Sequence, residues 1–490
     1  MSKPNILLIT WDELRRDALS FYGNRVVSTP NIDALAASGT VYDNCYTPSP
    51  LCLPARSSIL TGLYPHNSKA YSNFRDCPLN PDTPNLFNLL KQGGYRTAKA
   101  GKCHFAPVDY DGARPDETLP SELKSFYQSL GIDDLFLQDG KSSSIWFYDD
   151  YSREIDASGH LAEYRRLKWD KKNNGGVFTF PHDKELHPDH WVGRKSTEYI
   201  DSYDGDAPLF FWASFSGPHY AFDAPAEYRQ YVDASQLGER SYRDGEFDDP
   251  SRIHHSSMHG PQGIDACSRV KDGACKHFTE DYWTELRLQY HATVKMLDVQ
   301  AGLLIDSARR KFGDNLMILF TTDHGELLGD HGLWGKNNCA YEPVWKVPMF
   351  VQYPGRDGNL PSADNQEPTD GQWLPLRFDC NVSTLDILPT CLNAAGLPVP
   401  DNLDGQDFLV SEQVGGSKYV FAEAEGFLAV TDGVYKYVHV QQGKKDLREL
   451  YDLSVDPGEF YNYINDASHK DILNTLRDAA IGHLLKDVLP

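Results

Sequence analysis

LMILFTTDHG, Leu316 to Gly325, is the stretch that decides the fold. Leu316–Thr322 is a continuous apolar and β-branched run, which reads as a strand buried on both faces. It stops abruptly at an acid and a histidine, Asp323 and His324. Ahead of it Leu286, Tyr290, Val294, Leu297, Ala301 and Leu304 recur at spacings of three and four, the apolar face of a long helix. An amphipathic helix, a buried strand and a polar tip make the repeating unit of a parallel sheet covered on both sides.

The same unit recurs outward from this point. Asn5–Thr10, Tyr95–Ala100 and Leu209–Ser216 read as further strands, and Thr29–Gly39 as a helix that opens at Thr-Pro and closes at glycine. Two polar, aromatic segments, roughly 105–190 and 221–280, are too long for ordinary connections. Such insertions serve as lids or substrate walls, with surface decoration the alternative for most of their length. A helix at 386–396 ends the main pattern. After about residue 405 the texture changes to short strands, Tyr419–Ala422, Phe427–Thr431 and Tyr435–His439, with Asp432-Gly433 as a hairpin signal. A turn-rich stretch, Tyr451–Tyr463, and a helix, Ile472–Leu485, follow. The expected architecture is α/β. A large, mainly parallel sheet occupies 1–405, and a smaller antiparallel subdomain with one helix occupies 406–490.

With 40% hydrophobic residues in 490, the chain can bury a large core. The first apolar run, Ile6–Thr10, is followed at once by charges, and no run of 18 apolar residues occurs elsewhere. The expectation is therefore no membrane span and no leader. Nine cysteines at irregular spacing, with no C-x-x-C pair, argue against a thiolate zinc site and for a reducing cytoplasm. Cys267 and Cys275 are the pair whose spacing would close a small loop. A net charge of −23 argues against nucleic acid as a partner, while leaving room for a small anion in a locally basic cleft. Oligomeric state is not legible, and a homo-oligomer is allowed.

Each strand is followed by chemistry. Asp12 and Glu13 follow the first, Lys102 and His104 the second, and His219 the third. Asp323 and His324 follow the fourth, with Lys336 beyond them. Taken singly, such an acid reads as a helix cap and such a histidine as a hydrogen-bonded structural residue. Together they lie beyond the carboxyl ends of parallel strands, where open α/β sheets bind ligands. Asp12, Glu13, Asp323 and His324 form a ligand set for a hard divalent cation. Lys102 and Lys336 would face the cation's anionic guest, so the set describes a site for a tetrahedral oxyanion.

PLCLPARSSILTG, Pro50 to Gly62, supplies the remaining part. Cys52 stands at a helix start, with Pro54 in the first turn and Arg56 and Ser57 beside it. Disulfide partner, metal ligand, nucleophile and plain core residue are all open for a cysteine there. A nucleophile at a helix start, where partial positive charge favours an anion by about 0.3–1 kcal/mol, is aimed at an anionic ester. A soft thiol beside a hard cation is nonetheless a poor match.

Cys52-Leu53-Pro54-Ala55-Arg56, continued by Leu60-Thr61-Gly62, resembles the signature of the type I sulfatases, in the alkaline-phosphatase-like superfamily. The remaining motifs follow in that family's order: Asp12, Gly101-Lys102-x-His104, Gly217-Pro218-His219, Thr322-Asp323-His324-Gly325, Gly335-Lys336. Near the C-terminus Glu449-Leu450-Tyr451-Asp452-Leu453 with Asp456-Pro457 resembles the family's last strand and turn. The likeness spans almost the whole chain, and implies an α/β/α sandwich. It implies that Cys52 is a precursor, oxidised to formylglycine by a formylglycine-generating or anaerobic sulfatase-maturing enzyme. It also implies one divalent metal, Ca2+ or Mn2+ with Mg2+ allowed, held by Asp12, Glu13, Asp323, His324 and position 52. Glu13 departs from the family's usual Asp and His324 from its usual Asn, and Leu53 is bulkier than usual. The Asp-His pair resembles the branch of phosphonate monoester hydrolases and choline-sulfatase-like enzymes.

The resemblance further implies roles. Arg56 holds the hydrated formylglycine, Lys102 and Lys336 stabilise the sulfate oxygens, His219 with Lys336 serves the leaving alcohol, and His104 takes the proton that lets sulfate depart. The expected reaction is hydrolysis of a small sulfate monoester. The alternatives are a phosphonate monoester or phosphodiester hydrolase on the same site, and an anion-binding protein in which Cys52 stays a thiol. His66, Trp146, Tyr220, His254 and Trp334 are candidate wall residues by position, with packing the competing account of each.

Overall fold

The computed structural model describes residues 3–73, 75–107, 117–169, 176–259, 278–336, 339–354 and 376–486. Its strands are β1 (Asn5–Asp12), β2 (Thr40–Tyr46), β3 (Arg96–Gly101), β4 (Asp134–Leu137), β5 (Leu209–Pro218), β6 (Leu316–Thr322), β7 (Lys346–Val347), β8 (Phe350–Gln352) and β9 (Leu376–Ser383) in one sheet. The order is β4-β3-β5-β1-β6-β8-β2-β7, with β9 paired to β2. From β4 to β6 every pairing is parallel; β8 is antiparallel to both β6 and β2.

β1 shows why the central strands read as continuous apolar runs. Leu7, Ile9 and Trp11 face one core, against the helices Glu280–Phe312 and Pro188–Ser202. Ile6 and Leu8 face the other, against the helices Cys52–Thr61, Leu86–Gln92 and Ile387–Ala394. Side chains alternate across a strand, so covering both faces leaves no polar position. Each such side chain, fully buried, contributes about 1.5–3 kcal/mol.

The long helix Glu280–Phe312 is framed by its own chemistry. The Thr279 side chain caps it by accepting from the Tyr282 amide, Glu280 and Asp281 sit in its first turn, and Arg309, Arg310 and Lys311 in its last. The helix Cys52–Thr61 is different: all ten residues are buried, and Gly62 ends it at φ +66°.

The segment 105–190 is less of an insertion than its polarity implies. Asp134–Leu137 joins the main sheet at its edge, beside β3. Four residues are too few to register as a strand by pattern. The helix Phe408–Val414 also belongs to the main body: Phe408 stacks on Tyr42, whose hydroxyl donates to Glu412 at 2.6 Å. The second sheet begins at Val420, with β10 (Val420–Ala424), β11 (Phe427–Thr431), β12 (Tyr435–Gln442) and β13 (Lys445–Asp452), antiparallel throughout. One face packs Val420, Ala422 and Val438 against Tyr46 and Trp345 of the main body. The other packs Val430, Tyr437 and Leu450 under the helix Lys470–Leu485.

The described cysteines, 45, 52, 77, 103, 339, 380 and 391, are free thiols, and Cys267 and Cys275 lie outside the described residues. Among the described residues no helix is long and apolar enough to cross a membrane.

Candidate active site

Register brings the four strand ends level. Thr10 pairs with Ser214, Trp11 with Thr322, and Gly101 with Ser214. Gly101 is required where it stands: at φ +91°, a Cβ there would lie 1.9 Å from the Ser214 carbonyl oxygen. The chain then turns to deliver Lys102 over the end of β1. The helix Cys52–Thr61 enters the same space from below, with its start aimed at the strand ends.

Asp12, Cys52, Asp323 and His324 meet there, with a ligand atom of each within 4.8 Å of the others, all buried. His324 Nε2 lies 3.1 Å from Cys52 Sγ. His324 Nδ1 is 3.0 Å from the Gly325 carbonyl, which can only accept, so in the neutral ring Nε2 is left bare towards the cluster. Arg56 Nε donates to Asp323 Oδ2 at 2.8 Å, and its Nη1 donates to Ser214 Oγ at 2.8 Å. Lys102 Nζ donates to Asp12 Oδ2 at 2.5 Å.

Asp12 Oδ1 and Arg56 Nη2 are buried without a hydrogen-bond partner, with only the looser ion pair between them at 3.6 Å. An orphaned carboxylate oxygen beside a second carboxylate and a bare imidazole nitrogen is what a divalent cation would satisfy, so the residues fit one. The electrostatics agree. Burial pushes the Cys52 thiol up, but Lys102, Lys336 and His324 outweigh it and hold the group well below the ordinary thiol range. Burial likewise works against the charged form of Asp12, and Lys102 overcomes it.

Glu13, expected among the ligands, is not in that group. Its carboxylate turns away, 2.9 Å from Lys336 Nζ and 3.3 Å from His219 Nε2. The cause is in the backbone. Glu13 sits at φ +67°, held by its amide donating to Asp323 Oδ1 and its carbonyl accepting from Tyr290. A non-glycine residue in the left-handed region costs about 1–3 kcal/mol, and such residues gather at functional sites. His104, at φ +50°, is another, and its side chain helps to lower the Cys52 thiol. His219 also reaches Cys52. Burial, helped by Lys336, lowers His219 to about 3, and its Nδ1 faces the Tyr220 carbonyl at 2.6 Å. The cluster therefore gathers Asp12, Cys52, Arg56, Lys102, His104, His219, Asp323, His324 and Lys336, with Glu13 linking the last lysine to His219.

Three residues that hold these groups escaped the sequence reading. Asp139 Oδ1 accepts from the amides of Cys103 and His104 and fixes that turn. Ser214 receives Arg56. Asp189 Oδ1 accepts from the amides of Ser216 and Gly217, ahead of His219. None sits in a motif; an acid between an apolar run and a glycine, Leu137-Gln138-Asp139-Gly140, is the nearest signal. Of the five wall candidates, Tyr220 stacks on His219 at 4.9 Å, with Trp334 edge-on to it. The other three are elsewhere: Trp146 is in the main core, His254 packs between Phe247 and Tyr341, and His66 bonds Glu423.

Comparison with known proteins agrees with this geometry. The family model described as Sulfatase matches residues 4–397, and that described as N-sulphoglucosamine sulphohydrolase, C-terminal, matches 329–484. The chain is 27% identical to an arylsulfatase of Clostridium perfringens, over 98% of this chain and 94% of that one. It is 26% identical to an uncharacterised sulfatase of Escherichia coli, over 99% and 88%. In fold it is similar to the crystal structure of a phosphonate monoester hydrolase of Agrobacterium radiobacter, with a TM-score of 0.75, 23% identity, and coverage of 98% and 95%.

Proposed function

This chain belongs to the sulfatase family and is a sulfuric ester hydrolase, and on that premise we propose that it cleaves small sulfate monoesters at Cys52 by a metal-assisted, formylglycine-dependent route. The observation that carries the proposal is the meeting of Asp12, Asp323 and His324 around Cys52, under two lysines and an arginine.

Asp12, Asp323, His324 and position 52 would hold the cation, which when bound supplies positive charge to the ester's oxygens. Oxidation of Cys52 to formylglycine would supply a hydrated aldehyde, whose one hydroxyl displaces the alcohol from sulfur and whose other then releases the sulfate. The chain's own residues do the rest. Arg56, fixed by Asp323 and Ser214, orients position 52 from within the same helix. Lys102 and Lys336 bind the anionic oxygens. His104, which acts on the charge of position 52, takes the proton from it. His219 and Lys336, side by side on Glu13, hold the bridging oxygen, and the Lys336 ammonium is the one of the two that carries a proton to pass to it. A matured chain requires an oxidising maturation enzyme as partner.

His219→Ala should lower kcat/KM on an alkyl sulfate by about 10²–10⁴ while costing far less on nitrophenyl sulfate, whose leaving group needs no proton. Equal losses on the two substrates would remove His219 from that role. A second reading, phosphonate monoester hydrolysis, draws on one observation: an imidazole, His324, completes the cluster. A panel of sulfate and phosphonate monoesters with one leaving group decides between them.

A further inference from the structure

A second constellation of ligating side chains lies apart from the active site. His66 comes from the short helix Pro65–Ser68 that follows the Cys52 helix, Glu423 from β10, and His483 from the last helix. Their ligand atoms lie within 4.8 Å of one another. His66 Nδ1 is 2.8 and 2.9 Å from the two oxygens of Glu423, and His483 Nε2 bonds the first of those oxygens. The constellation is built rather than accidental. The backbone amide of His66 donates to Glu423 Oε2 at 3.0 Å and orients the carboxylate. The His483 ring is clamped flat on Phe421, centroids 3.9 Å apart, with Tyr64 edge-on at 4.5 Å, which aims Nε2 at the same point. Glu423 is 5% exposed. Both of its oxygens therefore meet imidazole nitrogen in a setting that disfavours a bare anion.

We propose that His66, Glu423 and His483 form a second divalent-metal site, suited to Zn2+, which fastens the small sheet and the last helix to the chain leaving the Cys52 helix. Two imidazoles and one carboxylate are a zinc donor set, and three protein ligands leave a fourth position for water. The His66 side chain is 23% exposed, so water can reach the cluster from its side. The donor set is more nitrogen-rich than the cluster at Cys52, so the two sites prefer different ions. The inference is independent of how the Cys52 site is read.

The test uses the full chain, stripped with a chelator, dialysed against Zn2+ and analysed for bound metal. His483→Ala and Glu423→Gln should each bind one equivalent fewer than the unaltered chain, and each should lose the rise in Tm that zinc confers. Nitrophenyl sulfate turnover in the same samples reports separately on the Cys52 site. Should His483→Ala fail to fold, the near-isosteric Glu423→Gln decides alone. If a folded variant binds as many equivalents as the unaltered chain, the proposal is overturned and the constellation is a clamp held by protons.

Discussion

Two buried arginines divide the molecule's charge into two kinds. Arg252 donates from Nε to Glu449 Oε1 at 2.7 Å; the Ile253 amide donates to the same oxygen, and Tyr451 to Glu449 Oε2. Every acceptor on that carboxylate is used. Arg56 is as deeply buried, and donates to Asp323 and Ser214, yet its Nη2 and the neighbouring Asp12 Oδ1 have no hydrogen-bond partner and face each other only as an ion pair at 3.6 Å. The first cluster joins the segment 221–280 to β13, its arginine paired with both Glu449 and Glu246. The second is built around a gap. An arginine paired on two carboxylates holds parts together, whereas orphaned groups gathered around one reactive side chain leave room for a ligand.

The largest expected effect tests the gap. Cys52→Ala should bring aryl sulfate turnover to background while moving the Tm little, because the surrounding charges keep their own pairings. A variant that retained turnover would remove position 52 from the chemistry. Next, Glu449→Ala should destabilise the fold by about 3–5 kcal/mol, since it removes the nearest carboxylate from a buried arginine and leaves it only the longer pair with Glu246, yet leave kcat on nitrophenyl sulfate near normal in whatever remains folded. Urea unfolding and active-site titration separate the two; a drop in kcat at unchanged stability would erase the distinction between the clusters. The smallest effect concerns a carboxylate of neither kind. Asp386 accepts from the amides of Ser383 and Gln406, and burial pushes it up to about 7. Its folded value lies above its unfolded one, so this contribution is full below about 4 and is lost as pH rises towards 7. The slope is at most about 1.4 kcal/mol per pH unit. Asp386→Asn, which cannot ionise, should show a flatter profile of Tm against pH over that range.

Much of the site was legible because its residues follow strands that announce themselves. β1, β5 and β6 are buried on both faces and mostly apolar, β3 is buried after Arg96 although it carries Thr97 and Lys99, and the reactive residues stand where these runs stop. The strands that escaped are the ones that carry polar side chains. β2 contains Asp43 and Asn44, and β9 alternates half-exposed positions; β13, KDLRELYD, is legible only through the resemblance of 449–453 to a family strand. Their burial is decided by neighbours distant in sequence, which local pattern does not encode. Glu13 was misplaced for a similar reason. Sequence adjacency put it beside Asp12, and a single left-handed residue turned it towards Lys336 instead. Asp139 and Asp189 act through backbone amides, a role for which any acid at the right point in space would serve.

The helix Cys52–Thr61 has no face turned to water. A tool as large as another enzyme has no approach to Cys52 once the chain has closed around it. Any maturation of that side chain must therefore happen while the segment is still extended, during synthesis or transit, in competition with the protein's own collapse. On the proposed formylglycine route, the burial that tightens the catalytic constellation also sets a deadline: a chain that folded before it was modified would stay idle for its lifetime. The yield of working molecules would then depend on the relative pace of translation, folding and oxidation as well as on how much protein is made.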